Sequence, residues 1–242
     1  MRLAVCVPTY EESENLPRLV EELARVFAEH ALDARLLVID DNSPDGTGAV
    51  ADALAREHPF VDVLHRARKQ GLGPAYLAGF RAALAGGADV VLQMDADLSH
   101  DPADVPRLLA AIGHGADVAV GSRYVAGGAV RNWGPVRRAV SRFGSLYARL
   151  VLGVRVRDLT SGFKCYTREV LEAIETERIH SVGYAFQIET TYRALAAGFR
   201  VVEVPIVFLD RQRGGSKMSR RIVLEAAVRV PALRLAAARG RL

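Results

Sequence analysis

Two cysteines in 242 residues, Cys6 and Cys165, are too few for a disulfide framework or a cysteine metal cluster. Cys6 falls in an apolar run and reads as a small core residue, so a reducing, cytoplasmic setting is the default expectation. Long hydrophobic runs are missing too: no stretch approaches the roughly 18 apolar residues that cross a bilayer. The opening residues, Met1 to Pro8, hold too short an apolar run for a signal peptide and read as a first strand. Aromatics make up only 7% of the chain, with a single Trp, Trp133. That scarcity weakens a nucleic-acid reading of the arginines, which also lie beside acidic clusters. Two glycine motifs that cradle phosphates are absent. The turn after the first strand is Pro8-Thr9-Tyr10-Glu11-Glu12 instead of Gly-x-Gly-x-x-Gly, and Gly-x-x-x-x-Gly-Lys-Ser/Thr does not occur. This argues against a nicotinamide dehydrogenase or an ordinary NTPase, and leaves a metal on carboxylates as the means of holding a diphosphate.

Half the residues are hydrophobic and a quarter charged, enough for one sizeable α/β domain or two closely fused lobes. The net charge is only +4, but arginine thickens after Arg123, so the second half is expected to be basic and to meet an anionic partner. Apolar runs at Leu3–Val7, Leu36–Ile39, Val61–Leu64 and Val90–Met94 read as buried strands. Between them, helical patterns run from about Glu11 to Glu29, Thr47 to Glu57 and Pro74 to Ala85. The order β-α-β-α-β-α-β predicts a mostly parallel, Rossmann-like sheet flanked by helices.

Ligands in such sheets sit beyond the carboxyl ends of the strands. Met94-Asp95-Ala96-Asp97-Leu98-Ser99-His100-Asp101-Pro102 follows the fourth strand there, with two carboxylates one residue apart. By itself Asp-x-Asp reads as a solvated turn. Polar clusters also end the first strand, at Pro8 to Glu12, and the second, at Asp40-Asp41. Three clusters on one rim describe a site, and hard oxygen ligands suit Mg²⁺ or Mn²⁺ on a diphosphate.

Seven segments in series resemble family 2 glycosyltransferases, and more closely the polyprenyl- or dolichyl-phosphate mannosyltransferases among them. They are Pro8 to Glu12, Asp40 to Thr47, Gly71 to Tyr76, Met94 to His100, Gly121-Ser122-Arg123-Tyr124, Asp158-Leu159-Thr160-Ser161-Gly162-Phe163, and Glu203-Val204-Pro205-Ile206 followed by Arg211 and Gly215-Ser216-Lys217. The resemblance implies a glycosyltransferase A-type fold, a nucleotide-sugar donor such as GDP-mannose, a polyprenyl phosphate acceptor and a divalent metal. It implies that Pro8, Tyr10, Glu12, Ile39 and Asp41 line the nucleoside pocket. Asp95, Ala96 and Asp97 then hold diphosphate and metal, with Asp97 the direct ligand, and Arg123, Arg211 and Lys217 face donor and acceptor phosphates. The sequence departs from the pattern at Glu11, Asn42 and Ser99, and Ser99 leaves the metal's ligand set open.

A basic helix carrying Arg137, Arg138, Arg142 and Arg149 is expected from about Pro135 to Leu152, either core-packed with a solvated face or turned to a membrane or to phosphate. A helix is also expected over Tyr184–Ala196, and strand-like segments at Val201–Val204 and Ile206–Leu209 are parted by Pro205, which suggests an edge or a bend. Arg211 to Lys217 reads as a mobile cationic loop. The organisation predicted is one domain over 1–218, with a nucleotide-sugar half (1–120) and an acceptor half (121–218). A basic helical tail, 219–242, interrupted by Pro231, would anchor peripherally on the cytoplasmic face of a membrane, dock a membrane partner, or stay solvated and merely structural. A phosphate acceptor is already ionised near neutral pH, since its second pKa is about 6. No protein base is then required, although Asp158 or Glu189 could serve as one. The competing readings are a UDP-glucose or UDP-N-acetylglucosamine enzyme using the same lipid, and a non-catalytic subunit that binds a nucleotide sugar or lipid phosphate.

Overall fold

The computed structural model describes residues 1–179, 181, 183–210, 220–240 and 242, with backbone alone at 177 and 220–226. The first half alternates as expected: β1 (Leu3–Thr9), α1 (Leu16–Glu29), β2 (Ala34–Asp40), α2 (Thr47–Glu57), β3 (Val61–His65), α3 (Leu72–Ala85) and β4 (Val90–Gln93). There follow α4 (Val105–Gly113), β5 (Val118–Ser122), β6 (Ala129–Val130), α5 (Pro135–Leu152), β7 (Lys164–Thr167) and α6 (Arg168–Ala173). The chain then forms α7 (Gly183–Ala196), β8 (Val201–Pro205), β9 (Val207–Phe208) and α8 (Arg220–Ala238).

Seven strands form one sheet in the order β3-β2-β1-β4-β7-β5-β8. All neighbours are parallel except β7, which runs antiparallel to both β4 and β5. Helices cover both faces, which is why β1 and β4 are apolar without alternation. Leu16, Leu19 and Leu23 of α1 with Leu108 of α4 close one face. Tyr76 and Phe80 of α3 with Phe186 of α7 close the other. A third cluster, including Leu152 of α5, Tyr192 of α7 and Leu233 of α8, joins the last helices.

Two boundaries, at α1 and α8, differ from expectation, each for a local reason, while Pro205 stands at the edge and bend expected of it. Helix α1 starts at Leu16, not Glu11, because Glu11 adopts a left-handed φ of 57° and the Glu12 carbonyl accepts the Asn15 and Leu16 amides in a turn. Pro205 ends edge strand β8; the Ile206 amide still bonds to Ser122 O, and the chain then crosses to pair β9 with β6 in a separate two-stranded sheet. Helix α8 passes straight through Pro231, which was expected to interrupt it. Val230 and Leu233 on either side are buried against the third cluster, so packing outweighs the lost backbone hydrogen bond.

Candidate active site

The carboxyl ends of β1, β2, β4 and β5 open into one cavity of about 440 Å³. Pro8, Tyr10, Glu12, Asp41, Asp95, Ala96, Asp97 and Arg123 all line it. Ile39 does not: it is wholly buried in the core beneath, against the space at Gly79. Arg211 and Lys217 lie outside the described residues.

The acidic motif is held by its own loop. Leu98 takes a left-handed φ of 58°, a conformation uncommon for a residue with a side chain. The turn brings the Ser99 amide (3.1 Å) and hydroxyl (2.5 Å) back to donate to Asp97 Oδ1. Ser99 therefore orients the carboxylate most deeply set in the motif. Asp95 is placed from two sides. Its amide donates to His100 Nδ1 at 3.1 Å, and the buried Tyr76 hydroxyl donates to its Oδ1 at 3.3 Å. Burial, and then the charge of Asp95, push the Tyr76 phenol well above its usual pKa, so it remains a donor. Ring stacking of His100 on Phe163, centroids 4.9 Å apart, ties this loop to the segment before β7.

At the far end of the cavity Asp41 pairs with Arg66 and accepts the Gln70 amide, while Lys69 sits 3.4 Å over the Tyr10 ring. These contacts bind the loop before α3 to the ends of β1 and β2.

Arg123 is the central cation, and it is not solvated. Its Nε and Nη2 both reach Asp158 at 2.7 Å, and Nη2 also donates to Thr160 Oγ1 at 2.9 Å. The guanidinium lies within 6 Å of the Tyr124, Trp133 and Phe208 rings, at 5.3, 5.7 and 5.4 Å. Burial alone would raise the pKa of Asp158, but the Arg123 charge and hydrogen bonds outweigh it and hold the carboxyl below its usual value. The Asp158 and Arg157 amides in turn donate to the Glu203 carboxylate at 2.9 Å. Glu189, the other carboxylate considered as a base, is tied to Arg193 at 2.9 Å and to Ser181. Neither Asp158 nor Glu189 is among the residues lining the cavity.

Sequence reasoning assigned no site role to several lining residues: Lys69, Trp133, Gly162, Tyr184, Gln187 and Phe208; Arg137, which also lines the cavity, stands on the basic helix for which a phosphate-facing role was one expectation. Arg137 stacks over Trp133 at 4.2 Å and pairs with Asp210 at 2.6 Å. Among the described residues, Trp133 Nε1, Arg137 Nε and Gln187 Nε2 are buried donors without a hydrogen-bond partner, and all three residues border the cavity. Two signals were available: Gly162 falls in one of the resembling segments, and the only Trp stands just before a basic helix.

A nucleotide-sized cleft at the strand ends of a mostly parallel sheet, with an Asp-x-Asp loop facing buried arginine, defines a glycosyltransferase A-type enzyme. The glycosyl transferase family 2 profile matches residues 4–175, and the chain belongs to that family. It is 50% identical over 230 residues to polyprenol monophosphomannose synthase of Mycolicibacterium smegmatis, covering 95% of this chain and 85% of that protein. It is 48% identical over 237 residues to undecaprenyl-phosphate mannosyltransferase of Micrococcus luteus, covering 98% and 96%. Dolichol-phosphate mannosyltransferase of Pyrococcus furiosus is 37% identical over 228 residues, 93% of this chain and 61% of that protein. Among solved structures, glucosyl-3-phosphoglycerate synthase of Mycobacterium tuberculosis in complex with Mn²⁺, UDP-glucose and phosphoglyceric acid superposes with a TM-score of 0.69 at 21% identity, covering 95% of this chain and 79% of that one. That likeness carries the fold.

Proposed function

We propose that this glycosyltransferase moves mannose from GDP-mannose to a polyprenyl phosphate by single displacement, with inversion at the sugar C1. The observation that carries the reading is the meeting of the Asp95–Asp97 loop with Arg123 and Arg137 on one cavity, in a chain half identical to a polyprenol monophosphomannose synthase. Two anionic groups, a leaving diphosphate and an attacking phosphate, need opposite ends of such a cavity.

The donor set fits a divalent cation. Among the described residues no three His, Cys, Asp or Glu side chains form a closed cage. Two carboxylates on one loop leave coordination positions for phosphate oxygens, as Mg²⁺ and Mn²⁺ prefer. Bound to Asp95 and Asp97, such an ion would supply countercharge to the departing nucleoside diphosphate. Asp97 and Asp95 are the ligands, and Ser99 fixes the rotamer of Asp97 from behind.

The acceptor phosphate is its own nucleophile, because its second pKa of about 6 leaves it mostly ionised at neutral pH. It needs positioning and countercharge instead of a base. Arg123, with Nη1 unengaged by Asp158 or Thr160, and Arg137 supply donors at that end. The ion pairs on Asp158 and Glu189 accord with a reaction that uses no carboxylate base. Arg211 and Lys217 are proposed as further phosphate cations.

A lipid acceptor calls for a membrane surface, and among the described residues no helix is long and apolar enough to cross one. Helix α5 leaves Val136, Val140, Phe143, Leu146 and Leu150 exposed. At 100° per residue they fill an arc of about 120°, with Arg138, Arg142 and Arg149 together on its flank. We assign this stripe to the anionic face of a bilayer, with the arginines toward lipid head groups. The test of the whole reading is incubation of purified chain with labelled GDP-mannose, Mg²⁺ and a short polyprenyl phosphate. Label should enter the lipid; transfer from UDP-glucose alone would sink the mannosyl assignment.

A further inference from the structure

We propose that Gln187 reads the transferred sugar, donating from Nε2 to a hydroxyl of the hexose beside Asp95. The inference rests on the nucleotide-sugar reading above and assigns one further determinant within that site.

Gln187 lies on α7, is 2% exposed and borders the cavity. Among the described residues its Nε2 has no hydrogen-bond partner, and buried polar groups in native proteins are nearly always paired. Amide orientation is commonly ambiguous, but here the surrounding bonds determine it. Gln93 Nε2 donates to the Gly162 carbonyl at 3.1 Å. A carbonyl can only accept, so the Gln93 nitrogen faces Gly162 and its oxygen faces away, where it accepts the Tyr166 hydroxyl at 3.2 Å. The same Gln93 nitrogen donates to Gln187 Oε1 at 2.6 Å. Turning the Gln187 amide over would set two NH₂ groups against each other. Its free donor is therefore committed to the other side.

Gly162 shapes the space that this donor meets. A Cβ built there would stand 3.6 Å from Gln187 Nε2, 3.6 Å from Asp95 Oδ1 and 3.5 Å from His100 Cε1. The absent side chain leaves a gap between the amide and the acidic motif. If Asp95 and Asp97 serve the diphosphate, the sugar bonded to that diphosphate is the next group along. A neutral amide suits a neutral hydroxyl; phosphate oxygens are better met by the guanidinium groups elsewhere on the wall. A site that aims a buried donor at a substrate hydroxyl also rejects an analogue that leaves the donor unpaired.

The experiment compares the affinity of the full chain for GDP and for GDP-mannose, by calorimetry with Mg²⁺, in wild type, Gln187→Met and Gly162→Ala. Both variants should bind GDP within about twofold of wild type and GDP-mannose about tenfold or more weakly. Gly162→Ala adds a methyl at ordinary contact distance, so it tests the idea even where Gln187→Met melts early. Equal weakening of both ligands would mean a phosphate contact and overturn the proposal, as would no selective loss in either variant. A wild-type chain that ignores GDP-mannose but turns over another nucleotide sugar refutes only the mannosyl reading. That sugar nucleotide against its own nucleoside diphosphate then decides Gln187 by the same ratio.

Discussion

The metal-ligand role proposed for Asp97 depends on its being held still. The Ser99 hydroxyl and amide both donate to Asp97 Oδ1, and loss of a partner that orients a metal ligand typically costs about 10- to 100-fold in metal affinity or activity. Ser99→Ala should raise the Mn²⁺ concentration for half-maximal activity about 10- to 100-fold with a smaller change in kcat at saturating metal. Asp97→Ala should lower turnover by at least about a hundredfold at any metal level. Near-normal metal-dependent turnover in Asp97→Ala would remove the metal assignment. Lys164 poses a different residue-scale question. It is fully buried on β7, its Nζ donates to the Gln187 carbonyl at 2.6 Å, and burial lowers its pKa to about 7. Between about pH 7 and the ordinary value of 10.5, the unfolded lysine holds a proton that the folded one does not. Stability should therefore rise with pH from about 7 to about 8.5, by at most about 1.4 kcal/mol per pH unit from this group, and level off below it; at higher pH the Cys6 and Cys165 thiols, kept protonated by burial, contribute the opposite slope. Denaturant titrations at several pH values should show that slope in wild type and its absence in Lys164→Met.

Helix α5 shows how one element can serve two surroundings. Its inner face, with Ser145, Ala148 and Leu152, is buried, and Tyr147 binds the Ala227 carbonyl of α8 at 2.9 Å. The outer face exposes Val136, Phe143 and Leu150 at 76, 71 and 68%. Burying a large apolar side chain in a membrane interface is worth roughly 1.5–3 kcal/mol. Phe143→Asp with Leu150→Asp should therefore reduce sedimentation with anionic vesicles by well over about tenfold. Transfer to a short polyprenyl phosphate in detergent should persist, since neither residue lines the cavity. Unchanged vesicle binding would leave the stripe without its assigned partner. Apolar and arginine spacing made α5 legible as a helix. Which face would be inward was not legible, because that depends on α7 and α8, distant in the chain.

At the scale of the whole molecule, the division into a donor half and an acceptor half meets a sheet that crosses it. Strand β7, from the second half, lies between β4 and β5 and pairs with both. Residues 1–120 expressed alone would leave β4 an open apolar edge. We expect that fragment to aggregate or to melt without a cooperative transition by circular dichroism; a sharp transition of its own would establish the first half as an independent folding unit. The alternation of strands and helices and the polar strand ends were readable because each is a local pattern, set by side chains a few residues apart. Those patterns determined the class of fold and the rim on which Asp41, Asp95 and Asp97 stand. Tertiary structure alone decided that Arg123 is clasped by Asp158, that Ile39 lies under the cavity and that Trp133 and Gln187 border it. The bond from Gln93 to Gln187 spans 94 residues, and no local periodicity encodes a contact that exists only when β4 and α7 pack on the same sheet.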